Sequence, residues 1–288
     1  NEILYHNQKL IVDTNGIKEK PGVVYLDSKF IAAQLYTLRT FLKTPEDIEK
    51  SLKKVRDIGY EAVQVSGVGP IEPEHLKKIA DKLGINICVT HIPFDRIKND
   101  TENVIREHQM WGCKYVGLGS MPLEYRTCRE GYLAFAKEFS QIGKKYLDSG
   151  MQLVYHNHRF EFQKFNGMTG LDILLEESDP EAFGFEIDTY WVQAGGANPI
   201  DWIRKVGGRM KVVHLKDMAI VDDRQVFAEI GEGNLDWMGI IKACKETGVI
   251  WYAIEQDECL RDPFESLEIS FKYMKKLFEM MSNHARLI

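Results

Sequence analysis

The sequence predicts an α/β protein of the (β/α)8 barrel (TIM barrel) class, on three observations. Eight short β-branched and aromatic runs recur along the chain, at 30–36, 61–65, 86–90, 114–118, 151–157, 183–188, 211–215 and 250–255. Each run is followed by a segment of helical pattern, and the polar exceptions collect at the ends of the runs. Near-continuous apolar strands are what a sheet covered on both faces requires. Alternating strand and helix implies parallel pairing with right-handed crossovers, and eight such units match a closed barrel. The competing class, an open doubly wound sheet, calls for a glycine-rich turn after the first strand; Thr37-Leu38-Arg39-Thr40 stands there instead.

Taken in order, residues 1–29, with a turn at Asn15-Gly16, read as an N-terminal arm or hairpin, and 30–288 as a single barrel domain without linkers. Thr44 is placed to cap a helix with Pro45 at its first position, Glu46 and Asp47 in its first turn, and Gly59 at its end. Glu72-Pro73-Glu74 opens the next helix and Gly84 closes it. Further helices are expected over 101–112, 127–149, 169–177, 198–206, 234–247 and 263–282.

The bulk numbers narrow the function. With 288 residues, 44% hydrophobic, the chain can bury one large core. A net charge of −6 and a pI of about 5.8 argue against a nucleic-acid-binding protein, which needs clustered Lys and Arg. The apolar runs are far too short for a membrane span. No leader pattern is visible, although the chain starts at Asn1. Cys88, Cys113, Cys128, Cys244 and Cys259 form no CxxC pair and read as small buried apolar residues of a reduced, cytoplasmic protein. A small-molecule partner is expected, and a homo-oligomer is compatible with it.

Barrel enzymes place their chemistry at the C-terminal ends of the strands. His91, His156, His158 and His214 end or follow strands, whereas His6, His75, His108 and His284 read as surface residues. Glu186 and Asp188 end the sixth strand, Glu255 and Asp257 the eighth, and Glu161 follows the fifth. Strand residues two apart share a face, so Glu186 goes with Asp188, His214 with Lys216, and His156 with His158. If Asp188, His214 and Glu255 point inward, they meet on three neighbouring strands. Two carboxylates and an imidazole around a cavity make a site for one divalent ion, Mn, Mg or Co, with Zn possible. The fourth ligand must come from strand five or its loop: Glu161, His158 or His156.

Such an ion, chelating a carbonyl and an adjacent hydroxyl, acidifies the neighbouring C–H by stabilising an enediolate. Glu255 is the candidate base, with His158 or His156 opposing it. His91 and Lys216 are candidates for sugar oxygens or the developing oxyanion. Tyr36 and Trp191 are candidates to stack on the sugar, and Glu186 is a further candidate for binding the substrate. The GEG stretch at 231–233 offers backbone N–H groups to an anion, but Glu232 sits inside it and no basic cluster adjoins.

These motifs have a familiar order: QLYTLR (34–39), GYEAVQVSG (59–67), THIPF (90–94), YHNHRFEF (155–162), FEIDTYWVQAGG (185–196), VVHLKDM (212–218), GEGNLDW (231–237) and AIEQDE (253–258). From about residue 30 to 280 the chain resembles the sugar phosphate isomerase/epimerase superfamily, also called xylose isomerase-like or AP endonuclease family 2 barrels. The resemblance implies one divalent ion held by a Glu, Asp, His, Glu set from strands five to eight. Asp188, His214 and Glu255 match the last three. Where the epimerases carry the first Glu, this chain has Val154-Tyr155-His156-Asn157, a YHNH-type branch, and Glu161 is the nearest carboxylate and the favoured fourth ligand. The implied activity is a metal-dependent isomerase or epimerase of a keto-sugar or related polyol. The alternative is a lyase or dehydratase on a keto-inositol or oxidised glycoside; DNA cleavage and non-catalytic sugar binding rank lower. In the keto-sugar epimerases two metal-binding glutamates form the acid/base pair, and that pairing does not carry over intact here.

Overall fold

Eight parallel strands pair side by side in the computed structural model, which describes residues 26–284. They are β1 (Ile31–Gln34), β2 (Ala62–Val65), β3 (Asn86–His91), β4 (Tyr115–Leu118), β5 (Gln152–His156), β6 (Phe183–Glu186), β7 (Val212–Leu215) and β8 (Trp251–Ile254). Sequence neighbours pair from β1 to β6, β8 pairs with both β1 and β7, and every pairing is parallel. The ring closes between β6 and β7 through a bridge at Asp188 and His214, whose N–H donates to Ile187 O at 2.9 Å. The predicted barrel is therefore present, and each observed strand lies within its expected run apart from the one-residue extension of β3 to His91. The expected arm lies almost wholly outside the described residues, as do the Asn15-Gly16 turn and His6.

Ten helices surround the barrel among the described residues: α1 (Pro45–Ile58), α2 (Pro73–Leu83), α3 (Phe94–Asn99), α4 (Thr101–Trp111), α5 (Arg129–Leu147), α6 (Gly170–Glu177), α7 (Thr189–Ala194), α8 (Pro199–Lys205), α9 (Trp237–Thr247) and α10 (Pro263–His284). Thr44 Oγ1 accepts from Asp47 N at 3.2 Å, the cap its sequence implied. The short α3 and α7 were not anticipated. Helix α7 starts directly from the end of β6, with Asp188 as its N-cap: Oδ1 accepts from Trp191 N at 2.9 Å. A hairpin of Asp217–Val221 and Arg224–Ala228 after β7 was also missed. Its two turn residues, Asp222 and Asp223, take φ of 50° and 60°, the left-handed geometry of a tight hairpin. No described helix is long and apolar enough to cross a membrane.

The main core lies between strands and helices, with Phe135, Phe139, Tyr155 and Phe183 in mutual aromatic contact. A smaller cluster fills the bore: Ala32, Ala62, Cys88, Val89, Val154, Val212 and Ala253. Two residues further along these strands, on the same face, stand Gln34, Gln64, His91, His156, His214 and Glu255. Glu186 occupies the equivalent place on β6, above Gly184. A dry layer thus gives way to a polar one at a single level of the barrel. Strand β4 contributes space: a Cβ at Gly117 would stand 2.8 Å from His91 Cδ2, and one at Gly119 would stand 3.0 Å from His91 Nδ1.

Two expectations fail at the periphery. His108 is fully buried, not superficial, with its ring 2.7 Å from both Thr90 Oγ1 and Val104 O. Helix α4 packs that face against β3, and two fixed partners satisfy the imidazole. Among the cysteines, Cys88, Cys113 and Cys244 are buried as expected, but Cys128 is exposed and Cys259 half-buried.

Candidate metal centre at the barrel mouth

Strands β5 to β8 bring His156, Asp188, His214 and Glu255 together, each offering a ligand atom within 4.8 Å of the others, and all four are buried. His156 Nε2 lies 3.1 Å from Asp188 Oδ2. His214 Nδ1 lies 3.1 Å from Glu255 Oε2 and 3.7 Å from Asp188 Oδ2. The other nitrogen of each ring is anchored elsewhere. His156 Nδ1 meets Gly119 O at 3.0 Å, and His214 Nε2 meets Gln64 Oε1 at 2.6 Å. Both partners accept, so both anchored nitrogens carry a proton, and the second nitrogen of each ring faces the centre. His214 Nδ1 is buried and faces the Glu255 and Asp188 carboxylates. Two anchored imidazoles and two carboxylates converging on one point are a donor set that fits a divalent ion.

The charges around this centre are dense. Burial pushes the Asp188 and Glu255 carboxyls up, but Lys216 and the histidines outweigh it and hold both well below the usual carboxylate range. Burial likewise works against Glu186, which His214 and His91 keep ionised. His214 is discouraged from protonating by burial, yet Glu186, Asp188 and Glu255 raise it well above an ordinary imidazole. Lys216, almost fully buried, reaches Asp188 at 3.1 Å, Glu255 at 2.8 Å and Asp257 at 2.6 Å. Burial disfavours its charge, and those three carboxylates restore it.

The fourth ligand position corrects the sequence expectation. Glu161 is not among the converging groups. Its carboxylate turns into the barrel wall, where Tyr155 Oη donates to Oε1 at 2.5 Å and His158 N donates to Oε2 at 2.9 Å. Burial pushes this carboxyl up to about 8. His156, the alternative, fills the place because it lies on the inward face of β5 itself.

The remaining candidates divide. A cavity of about 390 Å³ opens above the cluster and is lined in part by Tyr36, His91, His158, Lys216, Glu255 and Asp257. His158 stacks on Phe160 at 5.7 Å and lies 5.4 Å from the Trp191 ring. Burial, then His156 and Lys216, push its pKa down to about 2, so its ring is neutral near pH 7. Trp191 is not among the residues that line this cavity; its ring lies beside His158 and 5.5 Å from Lys216 Nζ. Glu186 is also displaced from substrate contact: it is fully buried and supports His91 at 2.7 Å, Gln64 at 3.3 Å and His214 at 3.1 Å.

Sequence reasoning missed Gln34 and Gln64. Gln34 Nε2 donates to Glu255 Oε1 at 3.1 Å, and Gln64 orients His214. Their signal was present: each is the lone polar residue late in an apolar strand, in FIAAQ and in EAVQV, and the two pair across β1 and β2.

The xylose isomerase-like TIM barrel profile matches residues 52–277. The chain belongs to this family. An inosose dehydratase of Clostridium beijerinckii (strain ATCC 51743 / NCIMB 8052) is 28% identical over 171 residues, covering 53% of this chain. The match spans a little over half, 57%, of that relative's own length. A sugar phosphate isomerase/epimerase structure from Parabacteroides distasonis ATCC 8503 superposes with a TM-score of 0.73 at 22% identity, over 93% of this chain and 99% of that one. An L-ribulose 3-epimerase structure superposes with a TM-score of 0.68 at 15% identity, over 89% of this chain and 97% of that one. At these identities the two structures speak for the fold alone. Members of this family include epimerases and dehydratases, and the buried cluster described above is one that can hold a metal.

Proposed function

We propose that this barrel is a divalent-metal-dependent lyase or dehydratase that draws a proton from the carbon beside the carbonyl of a keto-sugar or keto-polyol. One observation carries the choice of elimination: the carboxylate that would complete a two-glutamate acid/base pair, Glu161, is withdrawn into the wall, and an imidazole lines the cavity instead. The likeness to an inosose dehydratase supports the same choice.

His156, Asp188, His214 and Glu255 would hold the ion, and two nitrogen donors among four favour Mn, Co or Zn over Mg. When bound, the ion supplies Lewis acidity toward a carbonyl and its neighbouring hydroxyl. Both Glu255 oxygens are engaged, one by Gln34 and one by Lys216 and His214, so the proton passes to His158 rather than to Glu255. His158 lines the cavity, and its Nδ1 lacks a partner among the described residues. An imidazole so placed would accept the C–H proton and return it to the departing oxygen, so that one group serves both halves of an elimination. The Lys216 ammonium stands beside the oxygen that gains charge. The net charge of −6 and the free cysteines fit a sugar substrate and a reducing, cytoplasmic setting.

Isomerisation or epimerisation is the second reading. Asp257 favours it by bringing another carboxylate to the cavity. Proton NMR in D2O tests both: the protein loaded with Mn2+, Co2+ or Zn2+ is incubated with a keto-inositol and keto-sugars. Solvent deuterium with loss of water or alcohol supports the lyase. Deuterium in an intact skeleton supports the second reading, and the absence of exchange from every combination sinks both.

A further inference from the structure

The YHNHRFEF stretch holds more than its two histidines. Strand β5 ends at His156, so Asn157 and His158 stand beyond the strand. Side chains meet the peptide groups of His158 instead. Its N–H donates to Glu161 Oε2 at 2.9 Å, and its C=O accepts from Asn157 Nδ2 at 3.3 Å. Asn157 and Glu161 are both wholly buried. Asn157 reaches further: its Oδ1 accepts from Asp188 N at 3.0 Å, which ties this loop to the end of β6.

Glu161 is held from its other side. Tyr155 Oη donates to Oε1 at 2.5 Å, and the Tyr155 ring packs against Phe135, Phe139 and Phe183. The carboxylate sits in a single 3-10 turn, Phe160–Phe162, and both flanking rings are pinned. The Arg126 guanidinium lies over Phe160 at 3.9 Å, and Phe162 meets Trp202 edge-on at 5.7 Å. A continuous path of contacts therefore runs from the outer core through Tyr155 and Glu161 to the backbone of His158.

Packing alone does not account for a carboxylate at 161. An apolar side chain would fill the same wall without the cost of desolvating an acid. It could not accept from His158 N, and that N–H would then lose the acceptor it has beyond the strand. The ring of His158 gains no such anchor through Nδ1, which lacks a partner among the described residues. Its place in the cavity wall depends on its backbone and on the flanking Phe160 and Trp191 rings.

We propose that Glu161 is a positioning residue for His158: together with Asn157 it grips the peptide groups on either side of that residue, and so sets where the imidazole stands over the candidate ligands. The inference rests on the reading of His158 as the group that accepts the C–H proton. It adds how the fold holds that group within the reach that proton transfer requires.

The test compares Glu161→Gln, Glu161→Ala and Tyr155→Phe. Glutamine keeps an oxygen for His158 N, and alanine keeps none. Tyr155→Phe removes only the hydroxyl that steadies the carboxylate, so the question stays answerable if the alanine variant does not fold. The first readout is the His158 ring proton signal of the metal-free protein, identified by its loss in His158→Gln. Ring currents from Phe160 and Trp191 shift this signal, so it reports ring position without metal or substrate. It should stay near the parent value in Glu161→Gln. It should move toward that of an unstructured histidine in Glu161→Ala and, by a smaller step, in Tyr155→Phe. The second readout is solvent deuterium exchange into a keto-inositol by the Mn2+-loaded protein. Glu161→Ala should lower kcat by about 10²-fold at unchanged KM, and Glu161→Gln should restore it. A ring signal that moves in neither Glu161→Ala nor Tyr155→Phe overturns the inference and leaves the lyase reading standing, as does a lowered melting temperature with the signal and kcat intact. If the ring signal moves but His158→Gln exchanges deuterium at the parent rate, His158 is not the base, and the positioning role falls with that reading.

Discussion

His156 and His214 turn their free nitrogens toward one point because each ring is tied down through its other nitrogen. Gly119 O holds the first at 3.0 Å and Gln64 Oε1 the second at 2.6 Å. The barrel thus sets two ring orientations before any ion arrives, and this preset geometry leads to the first expectations.

Asp188→Ala and His214→Ala should each abolish stoichiometric metal, measured by elemental analysis after gel filtration. Gln64→Leu leaves every proposed ligand in place but frees the His214 ring, so the affinity should fall about 10- to 100-fold in a calorimetric titration. An unchanged affinity would mean that Gln64 does not orient the ligand.

Glu161→Gln separates the two accounts of the fourth ligand. With His156 in that position, metal affinity should stay within about threefold of the parent, since Glu161 bonds Tyr155 and His158 N and so lies outside the ligands and the groups that anchor them. His156→Ala should instead lower it by more than the outer-group range of about 100-fold. The reverse pattern would restore Glu161 to the centre.

His158→Gln should retain metal while slowing solvent deuterium exchange into substrate by about 10²- to 10⁴-fold. If the variant exchanges at the parent rate, His158 is not the base, and Glu255→Gln becomes the variant to examine.

His108 supplies a pH expectation far from the chemistry. Burial lowers its pKa from 6.5 to about 4, so the folded protein keeps it neutral while the unfolded chain protonates it below 6.5. The unfolded state binds the extra proton in that window, and stability must decline as pH falls from 6.5 toward 4, by roughly 3 kcal/mol in total. His108→Gln should flatten this limb in urea melts taken between pH 4 and 7. A parallel pH dependence in both proteins would refute the assignment.

Much of this molecule could be read in order along the chain. Strand runs, helix starts such as Thr44-Pro45, and the gathering of acids and imidazoles at strand ends are local patterns, and local patterns are set by neighbours a few residues away. Asp188, His214 and Glu255 were legible because residues that end successive barrel strands must share a rim. The start of α7 directly at Asp188 was not legible, and with it the contact of the Trp191 ring with His158.

By itself, then, the sequence determined the barrel, its strand order and three of the four groups that can hold an ion, because periodicity and topology leave few alternatives. The tertiary structure alone decided between Glu161 and His156, since the choice depends on Tyr155 drawing the carboxylate into the wall. It alone set the imidazole orientations, because the groups that anchor the rings stand 37 and 150 residues away along the chain. Hydrogen bonds across such separations exist only once the barrel has closed.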